Sequence, residues 1–180
     1  MLEVEVKIRL DQAQLLALRE QLHRSADSPP ALHHQKDIYF SHPDRDFKAR
    51  DEALRLRVDE GLAITWKGPK LDPPLKTREE IEFGLDTDVQ TATRLLTALG
   101  YAEVATVSKD REQWSLQSPH TASVCLDHVE RIGSFVEVEV TAHDPESGRS
   151  RLQSVLRSLG LDHHTFIQTS YLGLLAQSAG

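Results

Sequence analysis

The chain opens on strict alternation. Leu2, Val4, Val6, Ile8 and Leu10 fall on one face of an extended strand, and Glu3, Glu5, Lys7 and Arg9 on the other. The period then changes to a helical one. Asp11 and Gln14 are spaced as a capping box, and Leu15, Leu18 and Leu22 follow on one helix face. Residues 25–31, with Pro29 and Pro30, read as a loop, which places His33-His34 in a loop as well. Residues 35–40 read as a strand and 41–52 as a polar connection. Residues 53–58 and 62–67 read as a hairpin around Asp59-Glu60-Gly61. A loop is expected at 71–74 and a strand at 75–83.

The second half repeats the theme. A helix is predicted over 87–99, with Gly100 as its stop and a stripe of Val89, Ala92, Leu95, Leu96 and Leu99. Strands are predicted over 101–107, 109–116, 122–129 and 134–141, the last two joined near Glu130-Arg131-Ile132-Gly133. Asp144-Pro145 opens a third helix that ends at Gly160, and a short segment over 170–176 closes the pattern. Eight or nine strands joined by short turns, with three helices, give an α+β chain built on an antiparallel sheet. Closing that sheet into a barrel would remove its edges.

The charges change this picture, because they share faces. Glu3 and Glu5 pair at i, i+2 with Lys7 next in line; Arg55 pairs with Arg57, Lys109 with Arg111, and Glu137 with Glu139. Lys76, Arg78 and Glu80 share a face too. The simpler explanation is the solvated face of an open sheet. Repeated like charges argue against it, since adjacent like charges repel and a merely solvated surface gains by mixing signs. If helices cover the apolar faces from outside, the charges point into a lumen, which is costly unless something fills it. A triphosphate with a divalent metal would do so. Arg and Lys take phosphate oxygens, and carboxylates hold the metal against them.

Composition narrows the function further. The chain has 180 residues, 39% hydrophobic and 27% charged, with a net charge of −7 that disfavours nucleic-acid binding. No apolar run approaches the roughly 20 residues of a membrane helix. No signal-like segment is read at the start, and the single Cys125 fits a reducing compartment, so a cytoplasmic location is expected and no membrane partner.

The order of motifs resembles the CYTH superfamily of class IV adenylyl cyclases and thiamine triphosphatases. Glu3-Val4-Glu5-Val6-Lys7 matches its ExExK motif. Gln35 to Phe40, Ala53 to Arg57, Thr65 to Pro69, Lys76 to Glu80, Lys109 to Arg111, Asp127 to Glu139 and Ser170 to Leu172 resemble family segments in family order. The wording around Arg45-Asp46-Phe47 and Asp51 to Arg55 is closest to the class IV cyclase branch. The resemblance implies one domain over 1–176 with a tail at 177–180, folded as an eight-stranded antiparallel β-barrel, the triphosphate tunnel, with flanking helices. It implies that Lys7, Arg55, Arg57, Lys67, Lys109 and Arg111, with Arg78, hold phosphates. It implies that Glu3, Glu5, Glu80, Asp127, Glu137 and Glu139 hold Mg²⁺ or Mn²⁺.

Other residues are set aside. The histidine pairs lack the four-ligand spacing of a zinc site. Cys125 is read as a strand residue beside the site, not a nucleophile. Trp66 and Trp114 fall opposite Lys67 and Arg111 and are read as core. The leading function is adenylate cyclase, from ATP to cyclic AMP and pyrophosphate. The second is a triphosphatase acting on inorganic, thiamine or nucleoside triphosphate. The third is a non-catalytic polyphosphate or nucleotide sensor. A homodimer is left open.

Overall fold

The computed structural model describes residues 2–69 and 78–178, with Leu2 by its backbone alone. The loop expected at 71–74, the first residues of the strand expected at 75–83, and Lys76 lie outside the described residues. The strands are β1 (Leu2–Arg9), β2 (Ala31–Ser41), β3 (Ala53–Val58), β4 (Leu62–Lys67), β5 (Glu80–Leu85), β6 (Ala102–Leu116), β7 (Ala122–Val129) and β8 (Gly133–Ala142). The helices are α1 (Gln12–Ser25), α2 (Val89–Ala98), α3 (Pro145–Ser158) and α4 (Tyr171–Ser178). Among the described residues, no helix is long and apolar enough to cross a membrane.

The helix starts follow from their caps. Asp11 and Gln14 complete the capping box of α1, each side chain taking the other's backbone N–H at 2.8 and 3.0 Å. Asp88 caps α2 and Asp144 caps α3, with Pro145 in its first turn. Gly100 and Gly160 follow α2 and α3 with positive φ, as a helix stop requires.

All strand pairs are antiparallel, in the order β1-β8-β7-β6-β2-β3-β4-β5. The sheet curls, so that β1 and β5, its two edges, bring Glu3 into the field of Glu80 and Glu82. The result is the eight-stranded α+β architecture expected, as a curled half-barrel.

Alternation then decides what lies on each side. The convex face carries the main core. Val4, Val6 and Ile8 of β1, Trp114 of β6, Val124 and Leu126 of β7, and Val136, Val138 and Val140 of β8 pack under Leu18 and Leu22 of α1 and Leu152, Val155 and Leu156 of α3. Gly148 lets α3 settle onto the sheet, since a Cβ there would stand 2.6 Å from Val4 Cγ2. A second cluster places Ala92 and Leu96 of α2 over Ile38, Phe40, Leu54 and Leu56, with Trp66 against it. Both tryptophans are core, as their strand parity predicts.

Four features depart from the pattern reading. Of the strand expected at 75–83, the described residues Arg78 and Glu79 lie in irregular backbone, and β5 runs Glu80–Leu85 instead. β6 is one strand where two were expected at 101–107 and 109–116, because Val107, Lys109 and Arg111 keep one alternation straight through Ser108. β2 begins four residues earlier than expected, because residues 31–34 pair with residues 110–113 of β6. His33 and His34 therefore sit in a strand, where they point oppositely, His33 toward Asp59 and His34 toward Asp110. The closing segment forms a fourth helix, α4. Its Tyr171 and Leu175 join Tyr39, Val107, Val129 and Phe135 on the concave face, inside the curl.

Candidate active site

The inward positions form a charged lumen. Lys7 of β1, Asp37 of β2, Arg55 and Arg57 of β3, Lys67 of β4, Glu80 of β5, Lys109 and Arg111 of β6, Asp127 of β7 and Glu137 of β8 are linked by ion pairs. Lys7, Lys109, Arg55, Asp37 and Asp127 are all buried. Most of these charges alternate with an apolar neighbour on the opposite face, and Lys109 and Arg111, flanked by Ser108, Asp110 and Glu112, keep the parity set by Val107 and Trp114 of the same strand.

Two buried aspartates organise the cations. Arg57 donates to Asp37 with Nε at 2.6 Å and Nη2 at 2.7 Å, and Arg55 Nη1 donates to the same carboxylate at 3.0 Å. Burial pushes the Asp37 carboxyl up, but the Arg57 hydrogen bonds with the charges of Arg55, Arg57 and Lys109 overcome it and hold it down at about 2. Arg111 grips Asp127 in the same two-pronged manner, with both bonds at 2.7 Å, and donates a third bond to Glu137 at 2.6 Å. Lys109 Nζ stands 3.5 Å from Asp127, and Lys7 Nζ 3.3 Å from Glu137. Burial first, then the neighbouring Arg111, lowers Lys109 to about 8 against the pull of Asp127 and Glu137.

The remaining carboxylates gather on the other side. Glu5 of β1 stands directly opposite Glu139 of β8 in the strand register. Burial, then Glu3, Glu5, Glu80 and Glu137, push Glu139 up to about 7. Glu3 is raised as well, by burial and then by Glu80, although Lys67 opposes this. Among the described residues no three carboxylate, imidazole or thiol groups already converge as a metal cage. The donor set nevertheless fits a hard cation. Mg²⁺ commonly takes one or two carboxylates and completes its shell with water and phosphate oxygens, and Glu3, Glu5 and Glu139 offer an acidic wall that a cation would relieve. Asp127 fits a metal less well, because Arg111, Lys109 and Tyr171 already surround it.

The structure thus brings together the sequence-predicted Lys7, Arg55, Arg57, Lys67, Lys109 and Arg111 with Glu3, Glu5, Glu80, Asp127, Glu137 and Glu139. Arg78 lies half-buried in irregular backbone just ahead of β5. Sequence reasoning missed Asp37, Thr65, Glu82 and Tyr171. Thr65 accepts from Arg55 at 3.4 Å and donates to Glu82 at 2.6 Å, and Glu82 lies 3.7 Å from Arg55. Asp37 left one signal: a carboxylate at the entrance to the apolar run Ile38-Tyr39-Phe40. Cys125 is buried, and its thiol is pushed up to about 11, mainly by burial, so it holds its proton at neutral pH. A cavity of about 210 Å³ reaches Arg111 and Asp127 from the side of His33 and His128.

Residues 1–171 match the family model of the CYTH domain. A Methanocaldococcus jannaschii protein named provisionally as an adenylate cyclase is 34% identical over 178 residues, covering 97% of this chain and 98% of that one. The adenylate cyclase CyaB of Aeromonas hydrophila is 31% identical over 150 residues, covering 80% of this chain and 73% of its own. A Pyrococcus horikoshii OT3 protein of solved structure superposes with a TM-score of 0.84 at 32% identity, covering 97% of this chain and 98% of that one.

Proposed function

The chain belongs to the CYTH domain family, and from that premise we propose that its lumen holds a triphosphate with Mg²⁺ or Mn²⁺ and converts ATP to cyclic AMP and pyrophosphate. One observation carries the reading: a wall of buried cations and a wall of crowded carboxylates face the same lumen. Arg55, Arg57, Lys109 and Arg111 form a clamp for phosphate oxygens, and Lys7 and Lys67 extend it toward the acidic wall. Glu3, Glu5 and Glu139 would hold the cation against those oxygens. The bound metal would neutralise charge developing on the phosphate chain.

The protein's own part is placement. The arginine forks match phosphate oxygens two at a time, which fixes the chain of phosphorus atoms along the lumen. Asp37 and Asp127 set the directions of those forks before substrate arrives, so little reorganisation remains on binding. Cyclisation forms the bond from the ribose 3′-oxygen to the α-phosphorus, breaks the bond to the departing pyrophosphate, and releases the 3′-hydroxyl proton to water. It requires the 3′-oxygen within about 3.5 Å of the α-phosphorus and in line with the leaving group.

Hydrolysis would use the same clamp with water at the outer phosphorus, so product analysis decides. Incubation with ATP and Mn²⁺ is expected to release cyclic AMP and pyrophosphate in equal amounts. ADP and orthophosphate without cyclic AMP would refute the cyclase reading and leave the clamp intact. Binding without turnover of ATP, thiamine triphosphate or tripolyphosphate would point to a sensor.

A further inference from the structure

The C-terminal segment enters the lumen from outside. Phe166 packs against the convex core and Ile167 against the concave cluster, so the chain rounds the edge of β1 between them. The Ile167 N–H donates to the Lys7 carbonyl at 2.7 Å, and Lys7 Nζ donates to the Thr169 carbonyl at 3.4 Å. The segment is therefore pinned to an edge strand at the very residue that carries the first clamp lysine. Tyr171 then begins α4, and its side chain is buried.

Tyr171 meets the clamp at Asp127, Lys7 and Lys109. Its hydroxyl donates to Asp127 Oδ2 at 2.7 Å. That oxygen also receives Arg111 Nη2 at 2.7 Å and lies 3.5 Å from Lys109 Nζ. Its ring lies 3.7 Å from Lys7 Nζ and 5.2 Å from Lys109 Nζ, and it meets Phe135 edge-on at a centroid distance of 5.1 Å. A tyrosine serving only as core would be equally well packed as phenylalanine. A buried hydroxyl aimed at a carboxylate that already has two cationic partners does something else: it decides which way that carboxylate turns. Arg111 has two acidic anchors, Asp127 and Glu137, so its guanidinium direction depends on how firmly each is held.

We propose that Tyr171 is a positioning residue of the phosphate clamp: its hydroxyl fixes the Asp127 carboxylate, and through it the directions in which Arg111 and Lys109 face a bound triphosphate. The proposal rests on the triphosphate reading of the lumen. It assigns to α4 a working part, since truncation or displacement of that helix would loosen the clamp without removing any residue that touches phosphate.

The test is Tyr171→Phe in the full chain, which keeps the ring, its Phe135 contact and its face toward Lys7, and deletes one O–H. Two quantities are read. The first is exchange of the Arg111 Nε–H by NMR, which needs no ligand. The second is affinity for tripolyphosphate with Mg²⁺ by calorimetry. A hydrogen bond to a charged acceptor in a buried site supports an expected change of roughly tenfold in each: faster exchange and a weaker Kd. A folded Tyr171→Phe protein with both quantities within about twofold of wild type overturns the proposal. If the wild-type protein binds no tripolyphosphate, the lumen reading falls, while Arg111 exchange still decides whether Tyr171 orders the arginine. Should Tyr171→Phe fail to fold, 3-fluorotyrosine at 171 replaces it. Its fluorine resonance is expected to move when tripolyphosphate binds, and an unmoved resonance alongside calorimetric binding overturns the proposal.

Discussion

The two sides of the lumen treat like charge in opposite ways. On β3 and β6, Arg55/Arg57 and Lys109/Arg111 are each threaded by an aspartate from a neighbouring strand, Asp37 or Asp127. On β1 and β8, Glu5 and Glu139 face each other across the ladder, and Glu3 adds a third negative charge. The first side is internally complete and stays charged: Asp37 is held at about 2. The second is incomplete, and Glu139 retains its proton up to about 7. Cations threaded by buried aspartates build a scaffold, and partly exposed carboxylates crowded by their own kind mark where an external cation would enter. The difference separates what holds the lumen in shape from what awaits a ligand.

The sharpest way to break that contrast is to remove the partner on the complete side. Asp37→Ala would leave Arg55 and Arg57 side by side with their shared acceptor gone. Breaking a buried pair in this way costs about 3–5 kcal/mol, which urea denaturation would read as a lower midpoint at unchanged slope. Tripolyphosphate should restore more stability to Asp37→Ala than to wild type, because a phosphate can take the vacated place between the arginines. A variant as stable as wild type would mean that Asp37 is not what keeps the two guanidinium groups together.

On the incomplete side the expected loss is of activity, not of fold. Glu5→Gln removes one charge at nearly constant volume, and turnover should fall by at least ~10²-fold if a metal held there stabilises developing charge. The fold should survive, since crowding among Glu3, Glu5 and Glu139 is eased. Near-wild-type turnover would remove Glu5 from the metal wall.

The contrast between the sides was legible in the sequence only in part. The i, i+2 repeats of Glu3/Glu5, Arg55/Arg57, Lys109/Arg111 and Glu137/Glu139 showed which charges share a face, because strand parity is local. The partners were not legible. Asp37 meets Arg57 across a strand pair, and Asp127 meets Arg111 likewise, so each pairing depends on register, which is set by packing and turns and not by either strand alone. Tyr171 was further out of reach. It acts from the start of a helix that the chain reaches only after rounding a sheet edge, and the resemblance of Ser170 to Leu172 to a family segment does not say what its hydroxyl meets. The same gap covers Asp127: its acidity is visible in the sequence, while the arginine, lysine and tyrosine that surround it depend on register and on α4.

A smaller effect separates the two sides by pH. The ordinary Glu carboxyl titrates near 4.5, and Glu139 is raised to about 7, by burial first and then by its acidic neighbours. Below about 4.5 the folded and unfolded chains both hold this proton, and it contributes nothing to the balance. Between 4.5 and 7 the unfolded chain releases it while the folded chain keeps it, so stability falls as pH rises. Asp37, at about 2, and Lys109, at about 8, change charge outside this window. Melting temperatures of the ligand-free protein are therefore expected to fall from pH 5 to 7. Glu139→Gln should flatten the slope, and so should saturating Mn²⁺ with tripolyphosphate. An identical slope in Glu139→Gln would place its origin elsewhere.

The smallest expected effect tests whether geometry alone explains the complete side. Arg19 of α1 grips Glu112 of β6 with Nε at 2.9 Å and Nη2 at 2.7 Å, the same two-pronged arrangement that Arg57 makes with Asp37. The surroundings differ. The Arg19 and Glu112 side chains are 33% and 25% exposed, whereas Asp37 is 3% exposed and faces a second guanidinium. Water and salt screen the outer pair, and two long side chains lose freedom to form it, so Arg19→Ala should cost less than about 1 kcal/mol. That cost should shrink further in high salt. If it instead approached the cost of Asp37→Ala, bidentate geometry would be the source of stability in both places, and the distinction between scaffold and ligand site would have to be drawn on other grounds. A small, salt-sensitive loss at Arg19 beside a large one at Asp37 would assign the difference to burial and shared partners, the two properties that the acidic wall has in only half measure.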